Sequence, residues 1–352
     1  MEGKSQIFPD PRDAAERAEL VYVSDEEPGI RRLRHGRGFR FVDAEGRPVS
    51  ASEEISRIRA LAIPPAWTDV WIAANPAAHI QATGRDLKGR KQYRYHAAWT
   101  ACRDEAKFST LTAFGQGLPE LRAQVSSDLR KRSLARERVI ASVVLLLDDT
   151  MIRIGNEAYA RENRSFGLTT LRQHHIDVEG SQLRFSFRGK AGQEWNVRLR
   201  DRRLASVMRS LQDLPGQRLF QYEGEDGPRP VHSHDVNDYI RAAMGPDFTT
   251  KHFRTWGATK AAAFRLGSTP LPDTKRQQTV VLNACIDKVA RRLHNTRAVC
   301  RRCYIHPQVT EAWLAGQLEE EMRELSRRYR RPLGGLDREE TILLRWLEQQ
   351  AG

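Results

Sequence analysis

The spacing of apolar and polar positions changes character once along the chain. Between residues 31 and 98, apolar residues alternate with polar ones over short runs, the period of a half-buried strand. In GFRFVDAEGRPV, Phe39 and Phe41 alternate with polar neighbours before a turn at Asp43–Gly46. PPAWTDVWIAANP is bounded by prolines and holds a short aromatic strand at Val70–Ile72. HIQATGRDLKGRKQYRYH reads as two short strands flanking a basic loop. From about residue 99 the spacing becomes helical. RERVIASVVLLLDDTMIRI is long and apolar enough for a buried helix. Leu183–Arg188 and Glu194–Leu199 predict a β-hairpin around Gly189-Lys190-Ala191-Gly192. DRRLASVMRSLQDL predicts a helix stopped by Pro215-Gly216, and SHDVNDYIRAAMG one capped by Ser233 and ended by Gly245. Residues 252–266 and 277–296 predict two more. After Pro307, VTEAWLAGQLEEEMRELSRRY and LDREETILLRWLEQQ predict two charged amphipathic helices, split at Pro332–Gly335. The fold class is α+β: a small β-rich N-terminal lobe over 31–98 and a larger, mainly α-helical domain over 99–352.

Charge changes the picture of the first thirty residues. They carry eight Asp/Glu against three Lys/Arg, which predicts an acidic, loosely ordered, solvated arm over 1–30. The whole chain is strongly basic, with a net charge of +13 over 352 residues. That balance favours a polyanionic partner, because each neutralised phosphate releases counterions. The longest near-apolar run, Val139–Leu147, is too short to span a bilayer, and the first residues hold no apolar signal-peptide core. Four cysteines, Cys102, Cys285, Cys300 and Cys303, fit a reducing compartment. A cytoplasmic, nucleoid-associated protein without a membrane partner is the expectation.

Candidate chemistry centres on AVCRRCYIHP at residues 298–307. Cys300-x-x-Cys303 could be half of a zinc site, with Cys285, His294 or His306 as further ligands, but no second Cys-x-x-Cys occurs. A redox pair needs a strand before it, and the preceding segment reads as a helix. The residue after the cysteines is Tyr304, in a segment rich in cations: Lys288, Arg291, Arg292, Arg297, Arg301 and Arg302 against Asp287. Nearby cations favour a phenolate, which makes a tyrosine a candidate nucleophile for a phosphodiester. Such a reaction also needs cations on the non-bridging oxygens and an acid for the leaving oxygen. Arginine suits the first task and lysine the second. Arg153 follows the buried helix, Lys190 sits on the hairpin tip, and Arg254 lies in KHFRTWGATKAA.

The order Arg153, Lys190, Arg254, Asn295, Tyr304 resembles that of type IB DNA topoisomerases, most of all their small bacterial, poxvirus-like branch. The resemblance runs from about residue 30 to 310. It rests on IPPAW, HIQATGRDLKGRKQYRYH, IRIGNEAYARENRSFGLTTLR, FRGKAG, DLPGQRLFQY, DVNDYIR, KHFRTWGATKAA and VCRRCYIHP. It implies that Tyr304 forms a 3′-phosphotyrosyl link and that Arg153 and Arg254 bind the non-bridging oxygens. It implies Lys190 as general acid. Many relatives carry a histidine where this chain has Asn295, whose amide can donate a hydrogen bond but bears no charge. His294, next to it, points elsewhere if the segment is helical. The resemblance further implies double-stranded DNA as partner, a monomer, no cofactor or metal, no ATP, and a two-lobed DNA clamp of the tyrosine recombinase/type IB topoisomerase type. Candidate DNA contacts are Lys88, Arg90, Lys91, Gln92, Tyr93, Arg94 and Tyr95, with Lys251 at the start of the helix that carries Arg254. If Tyr93 and Tyr95 alternate with Gln92 and Arg94, one face alone meets DNA. A site-specific tyrosine recombinase is an alternative, though recombinases usually carry histidine where Lys251 stands. A non-catalytic basic DNA-binding protein is another.

Overall fold

The alternation of the first hundred residues builds a five-stranded antiparallel sheet, in a computed structural model that describes residues 11–36, 38–87, 89–100 and 108–351. The chain divides into two compact units, Met1–Ser109 and Thr110–Gly352. In the first, α1 (Pro11–Arg17) precedes β1 (Ile30–His35) and β2 (Gly38–Val42). A short helix, α2 (Ser52–Ala60), then leads to β3 (Thr68–Ile72), β4 (Ile80–Arg85) and β5 (Lys91–Tyr95). The strand order is β2-β1-β3-β4-β5, which leaves β5 at an edge. One face of the sheet buries Ile30, Val70, Ile72 and Ala82 against Ile58 of α2. Successive side chains of a strand point to opposite faces. Trp71 and Thr83 therefore face the other way, where residues 21–27 cover them.

Within residues 11–30, that covering segment corrects the expectation of a loosely ordered arm; residues 1–10 lie outside the described residues. Tyr22 stacks on His79 with ring centroids 4.1 Å apart. The Val23 N–H donates to His79 Nδ1, Thr83 Oγ1 donates to Asp25, and Trp71 Nε1 donates to the Glu27 carbonyl. Ala14 and Ala15 of α1 are buried with Trp99. Net charge concealed small apolar residues spaced between the carboxylates, and these fasten the arm.

In the second unit, α3 (Leu111–Asp128) and the buried α4 (Arg136–Thr150) are followed by α5 (Glu157–Asn163). Next come β6 (Ile176–Glu179), β7 (Gln182–Arg188) and β8 (Glu194–Arg200), an antiparallel sheet in that order. Its buried face carries Leu183, Phe185, Phe187 and Trp195 into the core. The chain continues through α6 (Arg202–Gln212), β9 (Gln221–Gly224), β10 (Gly227–Pro230), α7 (Ser233–Met244), α8 (Lys251–Gly267), α9 (Lys275–Arg292) and α10 (Arg297–Cys303). His232, not Ser233, is the cap of α7: its N–H is taken by Asp235. The C-terminal segment forms three helices rather than two, α11 (Pro307–Leu314), α12 (Leu318–Arg328) and α13 (Arg338–Ala351). Gly316, at φ +75°, turns the chain between the first two, a conformation in which a β-carbon would be strained. Among the described residues, no helix is long and apolar enough to cross a membrane.

A buried ion-pair network fastens the last helix. Glu340 of α13, 3% exposed, accepts two hydrogen bonds from Arg122 of α3, at 2.7 and 2.8 Å. Arg122 also donates to Asp148 of α4, and Trp256 of α8 donates to Glu340. Burial pushes the Glu340 carboxyl up, but the hydrogen bonds and charge of Arg122 outweigh it and bring its pKa to about 2. The stabilisation from this group is therefore complete above its ordinary pKa of 4.5 and lost as the pH falls towards 2. Glu340→Gln is expected to cost about 3 kcal/mol at pH 7, because it leaves Arg122 short of a buried charge. Urea melts at pH 7 and pH 3 check this: the gap between parent and variant narrows at the lower pH.

Candidate active site

The residues nearest Tyr304 reach it from four segments. The first is the exit of α4. Met151 ends that helix in the left-handed conformation, φ +56°, and Arg153 follows at once. The backbone there is pinned: the N–H of Leu168 donates to the Arg153 carbonyl, and that of Thr169 to the Ile154 carbonyl. Gly167 permits this crossing, since a β-carbon on it would lie 2.5 Å from the Arg153 carbonyl oxygen. The second segment is α8, whose first residue is Lys251, exposed, one turn before the buried Arg254. The third is the stretch after α9, with Asn295. The fourth is the end of α10, where Tyr304 is the C-terminal cap and its N–H donates to the Cys300 carbonyl at 3.0 Å. The Tyr304 carbonyl accepts from Thr259 of α8 at 3.2 Å.

The two arginines are held differently. Arg254 is 4% exposed, and its outer nitrogens donate to the carbonyls of Met151 and Leu293. Its guanidinium carbon lies 5.0 Å from the centre of the Tyr304 ring. Arg153 donates through Nη2 to the Asn295 side-chain oxygen. Burial lowers the pKa of both guanidiniums, and the Tyr304 phenol, by charge and hydrogen bonding, acts against it. For Arg254 the charge of Arg153 adds to the effect of burial, and the pKa falls to about 10. Both remain cationic at neutral pH. Three buried donors of this cluster have no protein partner among the described residues: Arg153 Nη1, Arg254 Nε and Asn295 Nδ2. Buried donors are almost always satisfied, so three together mark a place for an acceptor from outside.

Arg153, Arg254, Asn295 and Tyr304 are thus assembled in one place. Lys190 stands on the β7–β8 turn, exposed, with no carboxylate against it among the described residues. The turn uses left-handed Ala191 and Gly192 to project it. Two of the cysteines are part of the core: Cys285 and Cys300 are buried, and burial pushes the Cys285 thiol up to about 11; Cys303 is half-buried, and Cys102 lies outside the described residues. His294 corrects an expectation. The segment beyond α9 is not helical at that point: His294 has φ +48°, and its ring stacks on Trp195 at 4.0 Å. No periodic signal could have found this contact, because it joins a loop to a strand about a hundred positions earlier.

The candidate DNA contacts of β5 lie in the first unit. Lys91, Tyr93 and Tyr95 share one face, with Tyr93 and Tyr95 42% and 46% exposed and their rings stacked 5.8 Å apart. That excludes an aromatic face turned into the core. Gln92 and Arg94 point the other way. Gln92 donates to Asp86, which also takes two hydrogen bonds from the Arg90 side chain, and Arg94 donates to the Ala62 carbonyl beside Trp67. Lys91 pairs with Asp25 at 2.6 Å. Lys88 lies outside the described residues.

Comparisons with known proteins bear on the family of the chain. Residues 91–329 match the family model "Eukaryotic DNA topoisomerase I, catalytic core", and residues 38–86 match "Bacterial DNA topoisomerase IB, N-terminal domain". A DNA topoisomerase 1B of Acanthamoeba polyphaga mimivirus is 35% identical over 285 residues, 79% of this chain and 85% of the relative. The DNA topoisomerase 1B of vaccinia virus (strain Copenhagen) is 23% identical over 236 residues, 65% of this chain and 70% of the relative. A catalytic-core match over most of the chain, a matching N-terminal domain and a viral relative of this similarity place the chain in the type IB DNA topoisomerase family, whose members are isomerases of DNA.

Proposed function

We propose that the protein relaxes supercoiled duplex DNA by cutting one strand transiently, with Tyr304 as nucleophile. The observation that carries this reading is the set of three unpartnered buried donors around one half-buried phenol. A phosphodiester fits there. Its non-bridging oxygens accept from Arg153 Nη1, Arg254 Nε and Asn295 Nδ2, and the two guanidiniums supply the charge that builds up in the transition state. The phenol passes its proton to water, and its oxygen attacks phosphorus. The bond to the 5′-oxygen breaks, and the Lys190 ammonium hands that oxygen a proton. The 3′-phosphotyrosyl link stores the bond energy, the free strand rotates, and the reverse reaction reseals it. No step consumes ATP. The decisive assay is relaxation of a supercoiled plasmid in EDTA without ATP. An unrelaxed plasmid, with DNA binding intact, would favour a recombinase that needs a particular site.

We assign duplex contacts to both units, which together act as a clamp. In the first, the open face of β5 carries Tyr93 and Tyr95 towards bases and sugars and Lys91 towards phosphate, while the Asp86 contacts hold the Arg90 loop in shape. In the second, Lys251 serves a phosphate beside the site. Asp25 already occupies Lys91, so DNA must displace it. Asp25→Asn is expected to tighten binding at low salt, because Lys91 then reaches phosphate without first breaking its ion pair, and to leave the slope of log K against log salt unchanged, since the number of phosphate contacts is the same. A titration across salt concentrations checks this, and an affinity no tighter than the parent's at low salt would remove Lys91 from the contact set.

A further inference from the structure

Three consecutive residues, Leu293, His294 and Asn295, each touch a different part of the site. The Leu293 carbonyl accepts from Arg254 at 2.8 Å, and the Asn295 amide oxygen accepts from Arg153. Between them the His294 ring lies on the indole of Trp195, centroids 4.0 Å apart and planes 29° apart. Trp195 begins the buried face of β8, is 3% exposed, and stacks its ring on that of Phe187, 6.0 Å away and 3° from parallel. The same indole supports the Lys190 turn. Gly189 packs so closely that a β-carbon on it would lie 2.7 Å from Trp195 Cδ1. The three-ring row Phe187–Trp195–His294 therefore runs from the hairpin that bears the lysine to the segment that holds both arginines. His294 reaches its place through a left-handed backbone, φ +48°, which a side chain with a β-carbon adopts at a cost. The ring is also poor as a charged group there: burial and then the charges of Arg153 and Arg254 lower its pKa. It acts as a flat, neutral surface.

We propose that His294 is a positioning residue for Lys190, fixing the β7–β8 hairpin against the arginine cluster through the Trp195 indole. The inference rests on the reading of Lys190 as the acid that protonates the leaving oxygen. Single-turnover cleavage tests it on two duplexes: ordinary DNA, and DNA whose scissile 5′-oxygen is replaced by sulfur. A thiolate leaves without needing a proton, so a defect in the acid vanishes on that substrate while a defect in phosphate binding or attack persists. His294→Gly removes the ring and relieves the left-handed backbone, so a lost rate is not a strained loop. It is expected to cleave ordinary DNA about 10-fold more slowly, a fraction of the full effect of a general acid, and the sulfur duplex at the parental rate. His294→Phe, which keeps a flat ring on the indole, is expected to restore most of the loss. Equal slowing on both duplexes, or no slowing on ordinary DNA, overturns the proposal. Lys190→Ala runs beside it. If sulfur fails to relieve Lys190→Ala, the acid assignment itself falls, and the inference with it. If sulfur relieves Lys190→Ala but not His294→Gly, only the inference falls.

Discussion

Tyr304→Phe is expected to bind duplex DNA with parental affinity and to form no covalent adduct with it. The substitution deletes one oxygen. The ring keeps its place over the Arg254 guanidinium and the main chain its bonds to Thr259 and Cys300, and only what the phenol oxygen gives the two arginines is lost. Phosphate and groove contacts, which supply most of the affinity for DNA, are untouched. What disappears is the atom that attacks phosphorus. Denaturing gels of protein mixed with labelled duplex read the adduct, and a binding isotherm reads the affinity. Any adduct in the variant would mean that another residue is the nucleophile.

Arg254→Ala is expected to lower the rate of cleavage by about 10²–10³, the usual loss when a buried donor to a developing charge is removed. The residue does two things at once. Its Nε is one of the three unpartnered donors, and its outer nitrogens satisfy the carbonyls of Met151 and Leu293. Removing it therefore also frees the turn that sets Arg153 and the segment that carries Asn295. Arg254→Lys separates the two roles. A lysine keeps a charge near the phosphate but cannot span both carbonyls while leaving a donor for a third acceptor. It is expected to recover part of the binding of DNA and little of the rate. Single-turnover cleavage with saturating protein measures the rate directly, and a lysine variant cutting as fast as the parent would show that charge alone suffices.

The elements of this protein were readable from local patterns. Alternation marks β2 to β5 of the first sheet, and the run from Val139 to Leu147 the buried helix, because side-chain period follows from backbone geometry alone, whereas the mostly basic β1 carries no such pattern. The hairpin carrying Lys190 was equally local, with Gly189 and Gly192 marking its turn. Residue chemistry pointed to Arg153, Lys190, Arg254 and Tyr304, the family resemblance added Asn295, and the tertiary structure brings Arg153, Arg254, Asn295 and Tyr304 together. Local patterns failed where one short cue had two meanings. Gly316 lies inside an apparently continuous helical pattern, yet it ends one helix before the next begins. The acidic balance of the first thirty residues hid a segment, residues 21–27, that packs on a sheet.

Only the tertiary structure decided who touches whom across long stretches of chain. That Arg153 meets Asn295, that Arg254 spans the carbonyls of Met151 and Leu293, and that His294 lies on Trp195 are contacts between residues separated by about forty to a hundred and forty positions. So is the pairing of Asp25 with Lys91, which ties an acidic arm to a basic strand. The physical reason is the same in each case. Periodicity records which face of an element is buried, while the partner on that face is chosen by how the elements pack. A single sequence carries the residue types needed for the chemistry and the lengths of the elements that bear them. The unpartnered donors around Tyr304 exist only after packing has excluded water and left three N–H groups without an acceptor.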